Sequence, residues 1–423
     1  MQTIKKIYHK ILPVSLLNYL FRIKTALLSI KEIRITENCS QNLSLKNKKN
    51  KIELVFIIYM PEVFSSFQSI YESACKNSNF SVHILAQPHV DNQQGLKGQN
   101  PAYDYLRNKY DNVINAYDNN EWFDLKKLNP DYVFYTRPYN HQYYNDYLPS
   151  VVRYYAKVCF EQYSYDMDIT ADFYIVYNYP FIQNVTFVFN SAESVCNKVK
   201  KMIKNHKKYP QALCFGFTRF DLLKNYSKQD KKRKTVLWLP RWTASKKQGK
   251  RQGHFFEYIN LFLSFAENNK DIDFIIRPHP LMFANFKLLG LYTEKDIENL
   301  YKKCNEIGNV FIDTDKSYLE SLLKADILFA DYTALLVEYF MTGNPIIYCD
   351  DASTFSKEVK QMDKGFYHEK SWFNIKDRLE KLLRNKDELF DDRKKIISKF
   401  IGETLAGEKI IKYLQNDYYG VKE

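Results

Sequence analysis

Asp-Ile-Leu-Phe-Ala-Asp-Tyr-Thr-Ala-Leu-Leu-Val-Glu-Tyr-Phe-Met-Thr-Gly-Asn-Pro-Ile-Ile-Tyr-Cys-Asp, residues 326–350, reads as one strand–turn–helix–strand unit. The apolar run Ile327 to Ala330 ends on an acid, Asp331. An apolar helical stretch follows, stopped by Gly343 and Pro345, and a second apolar run covers Ile346 to Cys349. The pattern predicts a βαβ unit with its helix N-terminus at Asp331-Tyr332-Thr333-Ala334. In open parallel sheets, ligands sit beyond the carboxyl ends of the strands. A helix N-terminus there offers unpaired N–H groups to a phosphate, which makes Thr333 and Ala334 candidate phosphate donors.

A second signal falls on the same edge. Residues 272–276 form another apolar strand, followed at once by Arg277-Pro278-His279-Pro280. The two prolines exclude helix on both sides of His279 and fix it in an extended turn at the strand's end. Consecutive strands therefore deliver Arg277, His279, Asp331 and a helix start to one rim.

These two motifs, R-P-H-P and A-D-I-L-x-x-D-Y-T followed by an acid and P-I-I-Y, resemble the C-terminal domain of the CDP-glycerol glycerophosphotransferase family, the teichoic-acid primases and polymerases. The resemblance runs from about Thr235 to the C-terminus. It implies an α/β fold of two Rossmann-like domains facing across a cleft, the glycosyltransferase-B type, with a CDP-activated donor held mainly by the C-terminal domain. By position, His279 matches the family's catalytic C-domain histidine. Asp331, Tyr332, Thr333 and Ala334 match its donor-phosphate turn, and Glu338 matches the acid that follows. The second serine of that turn is Ala334 here, and the acid is Glu338 rather than Asp. Where relatives carry an N-domain Trp-His-Gly, this chain reads Cys159-Phe160-Glu161-Gln162-Tyr163-Ser164-Tyr165.

Length fits two domains: 423 residues exceed one ordinary core. The expected division is a basic segment 1–50, an acceptor domain 51–224 and a donor domain 235–423, with Lys224 to Lys234 as linker. The last helix, from about Lys394 to Asn416, is expected to cross back onto the N-terminal domain, as in similar two-domain transferases. Seven scattered cysteines, with no C-x-x-C pair, argue for a reducing cytoplasm and against a zinc or disulfide framework. Apolar runs fall short of a membrane span, and no signal peptide is evident.

Residues 1–50 hold ten Lys/Arg against two acids, eight of the chain's net +13. Ile, Leu and Phe residues interleave with them at helical spacing, broken at Pro13. Two readings stand: a basic amphipathic segment on an anionic membrane surface, or a solvated helix packed on the N-terminal domain. Nucleic acid is disfavoured as a partner because no known reader motif is present.

The N-terminal domain alternates apolar runs (Leu54–Tyr59, Ser81–Leu85, Tyr132–Tyr135, Lys157–Phe160, Val185–Phe189) with helical stretches, which predicts a second doubly wound sheet. Arg137-Pro138-Tyr139 and Glu161-Gln162-Tyr163 then fall at strand ends, where an acceptor would bind. Glu161 is a candidate general base or a hydrogen-bonded loop carboxylate. His141 and His89 are weaker candidates, more in keeping with surface loops. In the other half, Arg241 follows the strand Val236–Leu239 and is read either as a phosphate ligand or as half of a salt bridge. The run Ser245 to Gly253 is a solvated loop or a cationic lid. Glu338, in an apolar helix, needs a partner, either a donor ribose or base, or an internal cation.

Together these features predict a cytoplasmic transferase working at the membrane's inner face. It would move a polyol phosphate, glycerol phosphate foremost, from a CDP-activated donor to a lipid-linked or glycan acceptor, in teichoic-acid-like or capsule synthesis. Arg277, Arg241 and the 331–334 turn would bind the diphosphate, and His279 would assist the departing CMP. No cofactor or acidic metal cluster is indicated. A glycosyltransferase of the same fold using a nucleotide sugar, and an inactive scaffold, are the other readings.

Overall fold

The computed structural model describes residues 14–90, 100–168, 177, 180–203, 209–223, 231–244, 251–400 and 405–421. The chain forms two compact units. Unit 1 comprises residues 1–163, 171–215 and 408–423, and unit 2 comprises residues 164–170 and 216–407.

Unit 1 is built on a seven-stranded parallel sheet: β1 (Ile52–Ile58), β2 (Phe80–Ala86), β3 (Val113–Asn115), β6 (Tyr132–Tyr135), β7 (Lys157–Glu161), β8 (Phe187–Asn190) and β9 (Gln211–Cys214). The order is β3-β2-β1-β6-β7-β8-β9. A two-stranded antiparallel hairpin, β4 (Tyr117–Asp118) and β5 (Glu121–Trp122), stands apart from it. The central strands are buried along their whole length, β6 and β7 without exception. That is why they appear in sequence as continuous apolar runs rather than alternating ones.

Unit 2 repeats the plan with six parallel strands: β10 (Thr235–Leu239), β11 (Asp273–Ile276), β12 (Val310–Ile312), β13 (Ile327–Ala330), β14 (Ile346–Tyr348) and β15 (Phe366–His368). Their order is β12-β11-β10-β13-β14-β15. In each sheet the first strand lies beside the fourth, so the order in which strands are laid down reverses at β1/β6 and at β10/β13, the strands themselves staying parallel. These are the switch points where doubly wound sheets open a ligand crevice. Trp238 on β10 packs against Phe255, Phe262 and Phe329, giving the floor beneath the second switch point an aromatic filling.

Residues 164–170 are counted with unit 2, not with the N-terminal domain, and the sequence-based division differs in three further places. First, residues 216–223 belong to unit 2, because Arg219 on the short helix Thr218–Asp221 pairs with Glu338. Asp221 also accepts the Ala406 and Gly407 N–H groups. Second, the single terminal helix expected over 394–416 is two helices, Phe390–Phe400 and Ala406–Tyr419. From Glu408 onward the second belongs to unit 1, where Ile410, Ile411, Leu414 and Tyr418 join the core and Asp417 pairs with buried Lys157 at 2.6 Å. Third, the described part of 1–50 is counted with unit 1. A helix Val14–Ser44 begins after Pro13, and Ile33, Thr36 and Ser40 on it are buried. Thr36 donates to the Gln183 carbonyl, Ser40 and Thr186 share a hydrogen bond, and Glu32 pairs with Arg153 at 2.8 Å. This favours the packed-helix reading from residue 29 onward. Residues 1–13, with Lys5, Lys6 and Lys10, lie outside the described residues, as do most of the expected linker (224–230) and residues 245–250 of the candidate lid. Among the described residues, no helix is long and apolar enough to cross a membrane.

Candidate active site

Four loops leave the carboxyl ends of β11, β10, β13 and β14, and one carboxylate ties three of them together. Asp331, directly after β13, is fully buried. Its Oδ2 accepts the backbone N–H groups of Arg241 (2.8 Å) and His254 (3.1 Å). Its Oδ1 accepts the His254 Nδ1–H at 2.6 Å and the Cys349 thiol at 3.1 Å. The β10 loop can present both N–H groups because it doubles back at Gly253, whose N–H donates to the Thr243 carbonyl at 2.9 Å. A Cβ on Gly253 would stand 2.5 Å from that carbonyl oxygen and 2.8 Å from that of Arg241, so only glycine fits this crossing.

The arrangement sets the protonation of the site. Burial alone would lower the His254 pKa, but the hydrogen bond and charge of Asp331 outweigh it and hold the imidazole above its ordinary value. With Nδ1–H committed to the carboxylate, Nε2 is the ring atom left to meet a ligand, the geometry of an acid–base dyad. Cys349 is shifted the other way: burial, then the Asp331 charge, raise its thiol pKa well above normal. The donor atoms of His254, Asp331 and Cys349 lie within 4.8 Å of one another, close enough to hold a metal ion. Here a proton occupies each of those contacts, so an ion would have to displace both the imidazole and the thiol proton.

Arg241 is half-buried over the Tyr332 ring, at 5.2 Å, and its Nη1 donates to the Tyr332 carbonyl at 3.2 Å. Its Nε is buried without a hydrogen-bond acceptor, and among the described residues no carboxylate pairs with the guanidinium. Burial accordingly lowers its pKa, a cost an incoming anion would remove. His279 follows β11 and is exposed at the rim. Crowding by surrounding protein and then the Arg241 charge push its pKa down to about 4. Its Nδ1 accepts the Leu281 N–H at 3.1 Å, which leaves the proton on Nε2. Neutral His279 thus offers an outward N–H donor.

The family model for CDP-Glycerol:Poly(glycerophosphate) glycerophosphotransferase matches residues 184–396, half of the chain, and takes in every residue of this cluster. The chain belongs to this family. No curated protein matches it significantly. Among solved structures, a chain of the wall teichoic acid polymerase TagF is 14% identical with a TM-score of 0.53, the match covering 96% of this chain and 99% of that one. The UDP-GlcNAc 2-epimerase of Neisseria meningitidis, solved with UDP-GlcNAc, is 14% identical with a TM-score of 0.55, covering 86% of this chain and all of the epimerase. At such identities the likeness is one of fold, and it agrees with the glycosyltransferase-B class expected from the motifs.

Several residues of this glycerophosphotransferase-like enzyme sit otherwise than the sequence reading had them. Arg277 does not face the rim as a free cation: its guanidinium holds Asp313 at 2.5 Å and the Asp315 carbonyl at 2.7 Å. Glu338 is an internal partner, buried with Arg219 at 2.8 Å and accepting the Tyr318 hydroxyl. Thr333 and Ala334 precede the helix rather than opening it. The helix spans Leu335–Phe340, and Thr333 Oγ1 accepts the Leu335 N–H at 3.4 Å. Among the described residues, no acceptor faces the N–H groups of Thr333 and Ala334. Tyr332 lies between two guanidinium groups, Arg241 and, at 4.0 Å, Arg251. Arg251 is anchored rather than swinging on a lid, through Thr354 (2.6 Å), Asp350 (3.4 Å) and Asp168 (3.5 Å). In unit 1, Glu161 ends β7 and is buried, His141 is exposed, and His89 packs edge-on to Tyr59.

His254 was not among the sequence candidates. Its signal was positional: it is the N-cap of Phe255–Glu267, the helix after the first strand of the second sheet, where doubly wound folds bind phosphate.

Proposed function

We propose that the enzyme transfers glycerol phosphate from CDP-glycerol to a hydroxyl of a lipid-linked or glycan acceptor, in synthesis of a teichoic-acid-like or capsular surface polymer. The observation that carries this reading is Arg241: a half-buried guanidinium with no carboxylate paired to it among the described residues, at the switch point of the second sheet, beside an Asp331-charged imidazole. Phosphoryl transfer asks chiefly for positioning and for neutralisation of charge on the transferred group and the departing CMP. Arg241 would hold the diphosphate, with the N–H groups of Thr333 and Ala334 and the Nε2–H of His279 as further donors. His254, protonated through Asp331, would stabilise or protonate the leaving phosphate oxygen. Glu161 stays the candidate for deprotonating the acceptor hydroxyl. The work would take place at the cytoplasmic face of the membrane, the part of the N-terminal segment before residue 29 meeting anionic lipid.

A thermal-shift and calorimetry panel of CDP-glycerol, CDP-ribitol, CMP and UDP-GlcNAc tests the reading. A ligand at a hundred times its Kd adds about 2.7 kcal/mol. For a unit of this size that is a shift of roughly 5–10 °C. CDP-glycerol should produce it, and Arg241→Ala should weaken binding about 10- to 100-fold, the loss of a charged hydrogen bond. A shift with UDP-GlcNAc and none with CDP ligands would assign the nucleotide-sugar reading instead.

A further inference from the structure

The arginines of the described residues that are not exposed divide unequally. Arg153, Arg219, Arg251, Arg277, Arg378 and Arg393 each have a carboxylate within 4.0 Å. Arg137 and Arg241 have none among the described residues, and each stands at the switch point of its own sheet. For Arg241 the occupant proposed above is the donor diphosphate. Arg137 has no such assignment.

Arg137 lies two residues beyond β6, beside the end of β1. Its guanidinium is ringed by three tyrosines from three neighbouring strand ends: Tyr163 after β7 at 4.8 Å, Tyr139 on its own loop at 5.4 Å and Tyr59 after β1 at 5.9 Å. Gln142 Oε1 accepts the Arg137 Nε–H at 3.2 Å and also the Tyr59 hydroxyl. The loop is held in turn by buried Gln87, which donates to the Gln142 carbonyl at 2.7 Å, and by Tyr143, which donates to the Arg137 carbonyl at 3.0 Å. One edge of the guanidinium is therefore fixed by protein. The two Nη groups have no protein acceptor among the described residues. Aromatic faces stabilise a cation but do not use its N–H groups. A half-buried guanidinium held rigid, with its two-pronged edge open, matches a phosphate in the bidentate mode. The surrounding ring faces suit the carbon skeleton of a sugar or polyol.

We propose that Arg137, with Tyr59, Tyr139 and Tyr163, forms a second anion site, in unit 1, for a phosphate-bearing polyol or sugar. Resting on the transferase reading above, this site takes the acceptor, whose nearest phosphate pairs with Arg137 while its carbon skeleton lies on the tyrosines. Recognition then requires a charged acceptor and discriminates against a neutral glycan.

Calorimetry on the full chain, with no donor present, tests this using a short glycerol phosphate oligomer and an uncharged polyglycerol of equal length. The oligomer should bind at least tenfold more tightly than polyglycerol, and rising salt should weaken it. Arg137→Ala should lose at least tenfold in oligomer affinity, Arg137→Lys should recover part of it, and Tyr163→Leu should weaken both ligands. In turnover assays Arg137→Ala should raise the acceptor KM with the CDP-glycerol KM unchanged. CDP binding by each variant reports that it is folded. Equal affinity for oligomer and polyglycerol, or an Arg137→Ala variant that binds CDP and the oligomer as the wild type does, would overturn the proposal. Failure of CDP-glycerol itself to bind would fall on the transferase reading instead.

Discussion

Replacing Asp331 with Asn keeps the shape of the side chain and removes its charge. The carboxylate takes two backbone N–H groups on Oδ2, and an imidazole N–H and a thiol on Oδ1. A carboxamide can serve one pair. The cheaper orientation sets its oxygen toward the backbone donors and its NH2 toward His254, which must then give up the Nδ1 proton. A charge-assisted hydrogen bond of ~1.5–3 kcal/mol becomes a neutral one of ~1, while the thiol keeps the Ala330 carbonyl, 3.2 Å away, as acceptor, so the net cost is about 1–2 kcal/mol. Spread over a unit of about two hundred residues, that lowers Tm by ~2–8 °C. The chemical consequence is sharper. Burial is the largest influence on the His254 pKa, and Asp331 leads the groups that oppose it, ahead of the charges of Glu257 and Asp350. In the variant the pKa should therefore fall below its ordinary 6.5 rather than stand above it. Turnover at neutral pH should drop by about 10²–10⁴, the range for losing a positioned acid or base. Nitrogen-15 NMR of the imidazole reads both tautomer and pKa, and differential scanning calorimetry reads the stability. A His254 pKa that stays raised in the Asn variant would refute this account of the site.

Gly253→Ala forces a Cβ against two backbone carbonyls and should cost ~1–3 kcal/mol, with nucleotide affinity falling alongside, as urea titration and calorimetry would show. Glu338→Ala should destabilise by about 3–5 kcal/mol, because it removes the carboxylate paired with buried Arg219; under conditions where the variant stays folded, CDP affinity should be within a few-fold of wild type. The two histidines give opposite pH signatures. The raised His254 pKa contributes stability below 6.5 that is lost as pH rises through its folded value. His279, with a folded pKa of about 4, costs stability as pH falls from 6.5 toward 4, since the unfolded chain takes up that proton first. A bound diphosphate should raise the His279 pKa, so CDP affinity should strengthen from pH 7 to pH 5, and His279→Ala should flatten that slope. Deleting residues 1–13 removes Lys5, Lys6 and Lys10 and should weaken sedimentation with anionic vesicles by about a hundredfold, at ~1 kcal/mol per charge.

What the sequence shows of this molecule follows how local the physics is. The fully buried strands β6 and β13 are visible as unbroken apolar runs, and both appear where those runs place them. The edge strands β3 and β9 are short and partly exposed, Val-Ile-Asn and Gln-Ala-Leu-Cys, and leave no comparable trace. Asp331 is recognisable as a strand-end acid within one βαβ unit. Its task is not, because its partner His254 is 77 residues away along the chain. The same holds for the two assignments that changed. Arg277 and Glu338 look like ligands in their own motifs, until partners 36 and 119 residues away, Asp313 and Arg219, come within hydrogen-bond distance. A lone charge in an apolar motif declares that it needs a counter-charge and leaves the supplier unnamed.

The return of residues 408–423 to the first unit bears on how the protein is made. A ribosome delivers the seven strands of unit 1 early, yet Ile410, Ile411, Leu414 and Tyr418 of its core follow only after the whole sheet of unit 2. Until they arrive, Lys157 is an interior cation whose counter-ion, Asp417, has not been synthesised. At 5–20 residues per second the nearly two hundred residues between the last strand of that sheet and its closing helix take ~10–40 s to emerge. Through that interval the nascent first unit is an unfinished body with an apolar flank in need of cover. A premature stop near residue 400 would leave the nucleotide-side sheet complete and disable the unit made first.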